Sequence, residues 1–326
     1  MKCKTTLGKT RAVLVGLLVA FSLVSQAQTW PGQTIKIIVP FTPGTGMDTI
    51  ARTVSPKLSE RLGQPVVVQN TPGASGNIGA DNVAKATPDG YTLLMGANTM
   101  LMASQLYKNV PFNPVEDFSS VSMAAFGTLM LVANPKTGIK SMEELIAQAK
   151  AKPGSITYGS PGIGTPHHMA MELFKSRTKL FMLHVPYRGT AGYVTDLLAG
   201  ELMVGFLPIH VAQGFVSAGK LTALAVGSDT RNPVAPGVAT FQELGVKDVN
   251  VDMWYAFFAP NKTPTPVVNR LNTEIAAIMK LPDVRATLAK SGLDAASSST
   301  SELSTTVKQD YQRWGSVIKR NAITAE

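Results

Sequence analysis

The stretch TIKIIVPFTPGTGMD, residues 34–48, decides the fold of this chain. Its first part, residues 34–39, is rich in β-branched residues and lies between Gly32 and Pro40, which predicts a short buried strand. Residues 40–46 carry two prolines, which cannot continue a sheet, and two glycines, which permit a tight turn. The stretch therefore predicts a strand that ends in a glycine-bearing loop.

A helix should begin directly after this loop. Ile50, Val54 and Leu58 recur at helical spacing, and either Asp48 or Thr49 can cap the helix. A strand, a loop and a helix start together present unpaired N–H groups and the positive end of a helix dipole, which suits an anion. The third glycine of G-x-G-x-x-G and the G-K-[ST] motif are both missing, so a carboxylate fits better than a nucleotide. An ordinary turn without a ligand is the alternative.

Residues 1–27 have the pattern of a secretory signal peptide. A basic beginning precedes the apolar run Ala12–Val24, and Ser25-Gln-Ala27 is a small-x-small cleavage site. That run is too short to anchor the chain in a bilayer. The single cysteine, Cys3, precedes the run, so none follows it to accept lipid. We expect an exported, soluble protein that is cleaved near Ala27 and has no disulfide.

The mature chain is long enough for two cores. It would have 326 − 27 = 299 residues, and its formal charge would fall from +9 to +5, because four basic residues and no acidic ones are removed. The remaining charge is dispersed without a Lys/Arg run, so nucleic-acid binding is not expected. No later stretch reaches the roughly 18 apolar residues of a membrane-spanning helix.

Strand and helix patterns alternate along the rest of the chain, which predicts parallel sheets with flanking helices. The loop 96–102 should lie beside the first glycine loop, because open parallel sheets bind ligands outside the carboxyl ends of their strands. The pattern restarts near residue 128. A second strand, glycine loop and helix start follow at residues 156–166, where Pro166 suits a first helical turn. Two lobes that face each other across a cleft are predicted.

Motifs along essentially the whole mature chain resemble the Bug family, the periplasmic solute-binding receptors of tripartite tricarboxylate transporters. In chain order they are Ile38-Val-Pro-Phe41, Pro43-Gly-x-Gly46-x-Asp48, Leu62-Gly-Gln-Pro-Val66, Pro72-Gly-Ala-x-Gly-Asn-Ile-Gly-Ala80, Pro88-Asp-Gly-Tyr91, Gly162-x-Gly-Thr165 with His168, His184-Val-Pro-Tyr187 and Ala218-Gly-Lys-Leu221. This resemblance implies an α/β, two-lobed type II periplasmic-binding-protein fold, with a mostly parallel sheet flanked by helices in each lobe. The ligand cleft would lie between the lobes.

The resemblance also implies lobe boundaries and partners. The first lobe would comprise residues 28–127 and 251–326, and the second lobe residues 128–250. A member of this family is a periplasmic receptor that binds a small carboxylate and delivers it to a cation-coupled membrane permease. We expect a monomer that needs no cofactor and performs no chemistry on its ligand.

The two glycine loops and the resemblance together give the candidate ligand-binding residues. They are Phe41, Thr42, Gly44, Asp48, Asn98, Thr99, Gly164, Thr165, His168, Tyr187, Arg188 and Leu207. Asp48 would repel an anion, so a role in capping its own helix is favoured. His168 is expected to order its loop or to bind a bridging water. Arg188 either pairs with a second carboxylate or is solvated. No histidine has partners at metal spacing, so no metal site is predicted.

Catalytic patterns are missing from the mature sequence. It has no cysteine, no G-x-S-x-G and no H-E-x-x-H motif. A periplasmic hydrolase is therefore the weaker alternative. A binding protein that serves a sensor kinase instead of a permease is the other, and the receptor itself would look the same in both cases.

Departures from the family pattern suggest which carboxylate is bound. Members often carry Thr-His-x-x-Asn-Pro after the third strand, where this chain has Met100 and Ala103, and Asp-Asn where it has Leu207 and Pro208. These changes replace hydrogen-bonding groups with apolar ones, which favours an aromatic or medium-chain acid over citrate or an acidic amino acid. The alternative is that these side chains pack inside their own lobes.

Overall fold

Two mixed β-sheets with flanking helices form the fold in the computed structural model, which describes residues 30–249 and 253–324. The helices and strands named below belong to the compact unit Gln33–Glu326. The predicted signal peptide, residues 1–27, lies outside the described residues. Within those residues, no helix is both long and apolar enough to cross a membrane.

The first lobe is built on a six-stranded sheet. In spatial order its strands are Leu293–Ala295 (β11), Phe118–Gly127 (β4), Met253–Pro260 (β10), Thr92–Ala97 (β3), Ile35–Val39 (β1) and Val66–Asn70 (β2). The helices beside these strands in the chain are Gly46–Leu62 (α1), Asn77–Ala84 (α2), Thr99–Leu106 (α3), Thr265–Ile278 (α8), Pro282–Lys290 (α9) and Thr300–Arg320 (α10). A short 3₁₀ turn, Ala74–Gly76, precedes α2.

The second lobe is built on a five-stranded sheet. Its strands in spatial order are Leu183–Pro186 (β7), Thr157–Ser160 (β6), Val204–Pro208 (β8), Leu129–Ala133 (β5) and Thr222–Val226 (β9). The helices between these strands in the chain are Met142–Ala151 (α4), Pro166–Thr178 (α5), Thr190–Ala199 (α6) and Ile209–Ser217 (α7). A 3₁₀ turn, Pro135–Thr137, follows β5.

The sheets are mixed and not mostly parallel as predicted. Strand β1 pairs in parallel with β2 and β3, whereas β10 runs antiparallel to β3 and β4. In the second sheet, β6 is parallel to β7 and β8, but β5 is antiparallel to β8 and β9. The antiparallel strands β4, β5 and β10 flank the points where the chain passes from one sheet to the other. Their direction is therefore set by this crossing and not by a βαβ unit. The exact boundaries near 127 and 250 stay a prediction, and residues 250–252 lie outside the described part.

Each lobe has an apolar core of its own. The first core contains Ile38, Leu94, Trp254, Phe258 and Leu303, and the second contains Met130, Val132, Tyr193, Leu197 and Leu207. All of these side chains are nearly or completely buried. Because apolar burial is the main favourable term in folding, each lobe is stabilised by its own core. Polar loops and helix starts are thus left to face each other between them.

Candidate functional site

A cavity of about 50 Å³ lies between the two lobes. The first lobe lines it with the start of α1, the start of α3 and the strand β10; the second lobe lines it with the loop before α5 and the starts of α5 and α6. This volume holds a few water molecules or a small polar group. We call it the interlobe cavity.

Five helices of the described chain begin at the wall of the interlobe cavity. They are α1 at Gly46, α3 at Thr99, α5 at Pro166, α6 at Thr190, and α7, whose N-cap residue Pro208 lines the wall. The first N–H groups of a helix have no partner inside it and carry the positive end of its dipole. No Asp, Glu, Lys or Arg is among the described residues that line the cavity. The backbone alone therefore gives the wall a positive character that suits an anion.

Thr45 caps α1, where the sequence predicted Asp48 or Thr49. Its backbone is extended, and its hydroxyl accepts a hydrogen bond from the N–H of Asp48 at 3.4 Å. The next residue, Gly46, has the hydroxyl of Tyr255 only 2.9 Å from the place where a Cβ would stand. The glycine thus lets an aromatic ring from β10 approach the helix start.

Asp48 and Gly44 hold the first loop and do not line the interlobe cavity. The Asp48 carboxylate accepts hydrogen bonds from Gly44 N–H at 3.0 Å, Arg52 Nε at 2.9 Å and Asn70 Nδ2 at 3.0 Å. Burial opposes ionisation of this carboxyl, but the hydrogen bonds from Arg52, Gly44 and Asn70 keep its pKa below the ordinary value. The carboxylate is therefore already neutralised by groups of its own lobe.

The second loop is closed by Thr165, the N-cap of α5. Its hydroxyl donates to the Gly162 carbonyl at 2.7 Å and accepts from the N–H of His168 at 3.5 Å. Pro166 stands in the first helical turn, as predicted. Gly164 has a φ of +75°, and a Cβ on it would lie 2.6 Å from Ala103 Cα of the first lobe. Only glycine permits this approach of the two lobes.

His168 and His184 stabilise this loop through hydrogen bonds and ring stacking. Nδ1 of His168 accepts a hydrogen bond from Gly164 N–H at 3.2 Å, and its ring stacks on His184 with centroids 4.3 Å apart. Nε2 of His184 lies 2.7 Å from the hydroxyl of Ser160. Burial lowers the pKa of His168 to about 4 and that of His184 to about 3. Both rings are consequently neutral at pH 7 and order the loop through hydrogen bonds and stacking.

Three other candidate residues line a second, larger space. Thr42, Tyr187 and Arg188 lie around a cavity of about 720 Å³ between the first-lobe residues 72–78 and the second-lobe loops. We call it the outer groove. Phe41 and Pro161 line both spaces, so the outer groove adjoins the interlobe cavity. Arg188 is exposed and is the charged side chain among the described residues that line the groove.

The apolar part of the wall comes from residues other than those expected. Leu207 is fully buried in the core of the second lobe, and Met100 belongs to the core of the first. Neither lines the interlobe cavity, whereas Phe41, Met47 and Tyr255 do. Phe41, Asn98, Thr99 and Thr165 are the candidate residues that the structure brings together at this cavity.

Some cavity residues gave little signal in the sequence. Thr190 follows Gly189 as a helix start, the same pattern as the two glycine loops, and could have been found on that basis. Tyr255 is brought to the cavity by the pairing of β10 with β3, opposite Ala97, which no local pattern foretells. His167 gave no signal of its own, because its neighbour His168 carries the motif.

Two lobes with a cavity between helix starts define a solute-binding protein. Residues 50–323 match the family model described as TctC, Tripartite tricarboxylate transporter family receptor. The chain belongs to this family. The family consists of solute-binding receptors and not enzymes, and membership implies a periplasmic location.

Curated relatives from Bordetella pertussis are similar over nearly the whole chain. One of them, a UPF0065 protein, is 35% identical over 310 residues, which cover 95% of this chain and 95% of that protein. Protein BugT is 34% identical over 311 residues, which cover 94% of this chain and 95% of BugT. These matches agree with the Bug-family resemblance of the motifs.

Solved structures of similar proteins have the same two-lobed fold. Periplasmic binding protein BugD is 28% identical with a TM-score of 0.85, and the match covers 90% of this chain and 99% of BugD. R. palustris Rpa4515, solved with adipate, is 31% identical with a TM-score of 0.85, covering 90% and 99%. MatC from Rhodopseudomonas palustris, solved with bound malate, is 28% identical with a TM-score of 0.83, covering 89% and 100%.

Proposed function

We propose that this protein captures a small carboxylate between its lobes and delivers it to the permease of a tripartite tricarboxylate transporter. The observation that carries the proposal is the convergence of five helix N-termini on a cavity whose described lining has no charged side chain. Such a site binds an anion through N–H groups and helix dipoles. Relatives solved with adipate and with malate support the ligand class. The receptor would act as a monomer after cleavage near Ala27.

The ligand is proposed to have a partly apolar body. Phe41, Met47, Met253 and Tyr255 offer apolar surface beside the helix starts. The interlobe cavity alone holds only a small group, but the adjoining outer groove gives room for a ring or a short chain. A benzoate-like or medium-chain acid would place its carboxylate at the helix starts and its body along Phe41.

Ligand binding is proposed to close the lobes by a hinge rotation near residues 127 and 250. Three second-lobe glycines lie against the first lobe: Gly162 against Ser75, Gly164 against Ala103 and Gly189 against Thr42. A ligand that contacts helix starts of both lobes stabilises this closed arrangement and not an open one. The same proposal includes the lobe boundaries that the sequence predicts. The first lobe would comprise residues 28–127 and 251–326, and the second lobe residues 128–250.

The binding site can be tested by a matched pair of variants at Thr190. This half-buried residue is the first of α6 and lines the interlobe cavity. Thr190→Asp puts a negative charge where a helix dipole favours it, so the fold should keep its stability, while a carboxylate ligand is repelled. At about 4 Å and an intermediate dielectric the repulsion is on the order of 2–4 kcal/mol, or about thirty- to a thousandfold in affinity. Thr190→Asn is the neutral control.

Calorimetry and thermal shift with adipate, malate, benzoate, citrate and glutamate would measure this. We expect at least one carboxylate to bind the wild type and the Asn variant and to be lost from the Asp variant at an unchanged ligand-free melting temperature. Equal affinity in all three proteins would place the ligand elsewhere. Consumption of a bound acid by the pure protein would contradict the receptor role, and a pull-down of the membrane permease tests the partner.

A further inference from the structure

His167 is a buried side chain at the interlobe cavity whose hydrogen-bonding capacity is unused. It is the second residue of α5, lines the cavity and is 8% exposed. Neither Nδ1 nor Nε2 has a hydrogen-bond partner among the described residues. Buried polar atoms are rarely left unpaired, because each costs the free energy of its lost hydration. The ring is therefore placed to pair with something that enters the cavity.

The surroundings of His167 keep the imidazole neutral. The helix starts around it are positive ends of dipoles, and no carboxylate side chain is among the described residues of the cavity wall. Tyr193 meets the ring edge-on with centroids 6.4 Å apart, and its hydroxyl already donates to the Phe206 carbonyl at 2.6 Å. Burial lowers the pKa of His167 to about 3. A neutral imidazole has one N–H donor and one bare nitrogen that accepts.

His167 adds an accepting nitrogen to a wall to which the helix starts contribute donors. The helix starts contribute N–H donors, which a carboxylate satisfies. The hydroxyl of Thr45 accepts from the Asp48 N–H, and that of Thr165 is engaged with Gly162 and His168. A ligand that offered only carboxylate oxygens would leave the bare nitrogen unpaired. The complementary ligand thus also carries a hydrogen-bond donor.

The charge of the wall decides which donor fits. An ammonium group would lie among positive helix ends without a negative side chain to pair with, which is unfavourable in a buried site. A hydroxyl group carries no charge and can donate to the bare nitrogen. We propose that His167 recognises a hydroxyl group near the ligand's carboxylate, so that the protein selects hydroxycarboxylates over plain acids and amino acids of the same skeleton. This proposal rests on the carboxylate-receptor function and deepens it.

Two ligand series with matched skeletons test the proposal. Malate, succinate and aspartate differ only in the group at one carbon, and so do 3-phenyllactate, 3-phenylpropionate and phenylalanine. Calorimetry with the wild-type protein at pH 7 should give the hydroxy acid an affinity at least about tenfold above the plain acid in the series that fits, because a lost partner leaves a buried polar atom unpaired. The amino acid should bind weakest.

Variants at position 167 assign the selection to this side chain. His167→Leu removes both nitrogens and should abolish the hydroxyl preference, so that the hydroxy acid and the plain acid bind with affinities within about threefold of each other. His167→Gln keeps one neutral donor and one acceptor and should restore part of the preference. His210→Leu is the control, since Nδ1 of His210 is also buried without a partner among the described residues, but His210 lies beside Gly292 and not at the cavity.

The outcomes separate this proposal from the proposed function. Plain and hydroxy acids that bind equally well to the wild type would overturn the role of His167 and leave the receptor function intact. A preference that persists in a folded Leu variant would also overturn it. Binding of none of the six compounds would overturn the role of His167, whereas the receptor function is overturned only if the five acids of the Thr190 experiment also fail to bind. The wild-type series alone can refute the proposal, so it stays testable if a variant fails to fold.

Discussion

Replacing Thr165 by valine tests whether the hydroxyl of this residue stabilises the loop or binds the ligand. Valine keeps the shape of the side chain and removes the hydroxyl, which in the structure donates to the Gly162 carbonyl at 2.7 Å and accepts from His168 N–H at 3.5 Å. Because the hydroxyl proton is already used inside the loop, a ligand carboxylate cannot accept it. The variant should therefore lose stability and not a direct ligand contact.

The magnitude follows from the two hydrogen bonds. Loss of an N-cap side chain costs about 1 kcal/mol, and loss of a neutral hydrogen bond costs a further 0.5–1.5 kcal/mol or so. The Gly162 carbonyl still accepts from the Ser160 hydroxyl at 3.1 Å, so it is not left unpaired. A total of about 2 kcal/mol should lower the melting temperature by roughly 3–5 °C.

Differential scanning calorimetry and titration calorimetry of the Val and Ser variants would check this. Thr165→Ser keeps the hydroxyl and should melt within a degree or two of the wild type. Both variants should bind ligand within about threefold of the wild-type dissociation constant at 25 °C. If Thr165→Val instead melted normally and bound ten- to a hundredfold more weakly, the hydroxyl would face the ligand and the reasoning from the cap would be wrong.

Three other predictions concern pH, closure and shape. Burial holds the pKa of His167 near 3 and that of His168 near 4, below the ordinary value of 6.5, so unfolding takes up protons. The free energy of unfolding, measured by urea titration, should therefore fall as the pH drops from 6.5 to 4.5, by up to about 1.4 kcal/mol per pH unit for each histidine. Gly164→Ala should weaken binding at least about tenfold by pressing on Ala103, whereas Gly138→Ala, with a similar φ of +74° and open space, should only lower stability by about 1 kcal/mol. Saturating ligand should reduce the radius of gyration in X-ray scattering.

Each of these has a clear contrary result. A flat stability profile between pH 6.5 and 4.5 would mean that the histidines are solvated in the folded protein. Equal binding by the two alanine variants would show that the Gly164 contact does not limit closure. A scattering radius that ligand leaves unchanged, at saturation measured by calorimetry, would contradict the hinge.

Local periodicity was enough to predict the elements that flank the cavity. The strand at 35–39 and the helix after it were found because a β-branched run, a proline-glycine loop and an i, i+4 stripe follow one another within one short stretch. Helix α3 was expected to be a loop. Its sequence, TMLMASQL, has no side-chain cap and is apolar on several faces, so neither a start signal nor an amphipathic period marks it.

The residues that line the cavity were harder to predict, because the geometry of each strand decides which of its residues reach the cavity. Side chains alternate across a strand, so Leu207 lies in the core while Pro208, one residue on, reaches the cavity. Met253 and Tyr255 come from β10, more than 150 residues after the strand β3 that it pairs with. Their place depends on a register that no single segment encodes.

The five helix starts at the cavity separate two properties that many anion sites combine. Peptide dipoles belong to every sequence that forms these helices, so a neutral substitution in the wall leaves the attraction for a carboxylate in place. Side chains such as Ala97, Met253 and His167 can meanwhile vary. After gene duplication, a copy of this receptor could therefore change the acid that it binds, one neutral substitution at a time, while every intermediate still bound a carboxylate.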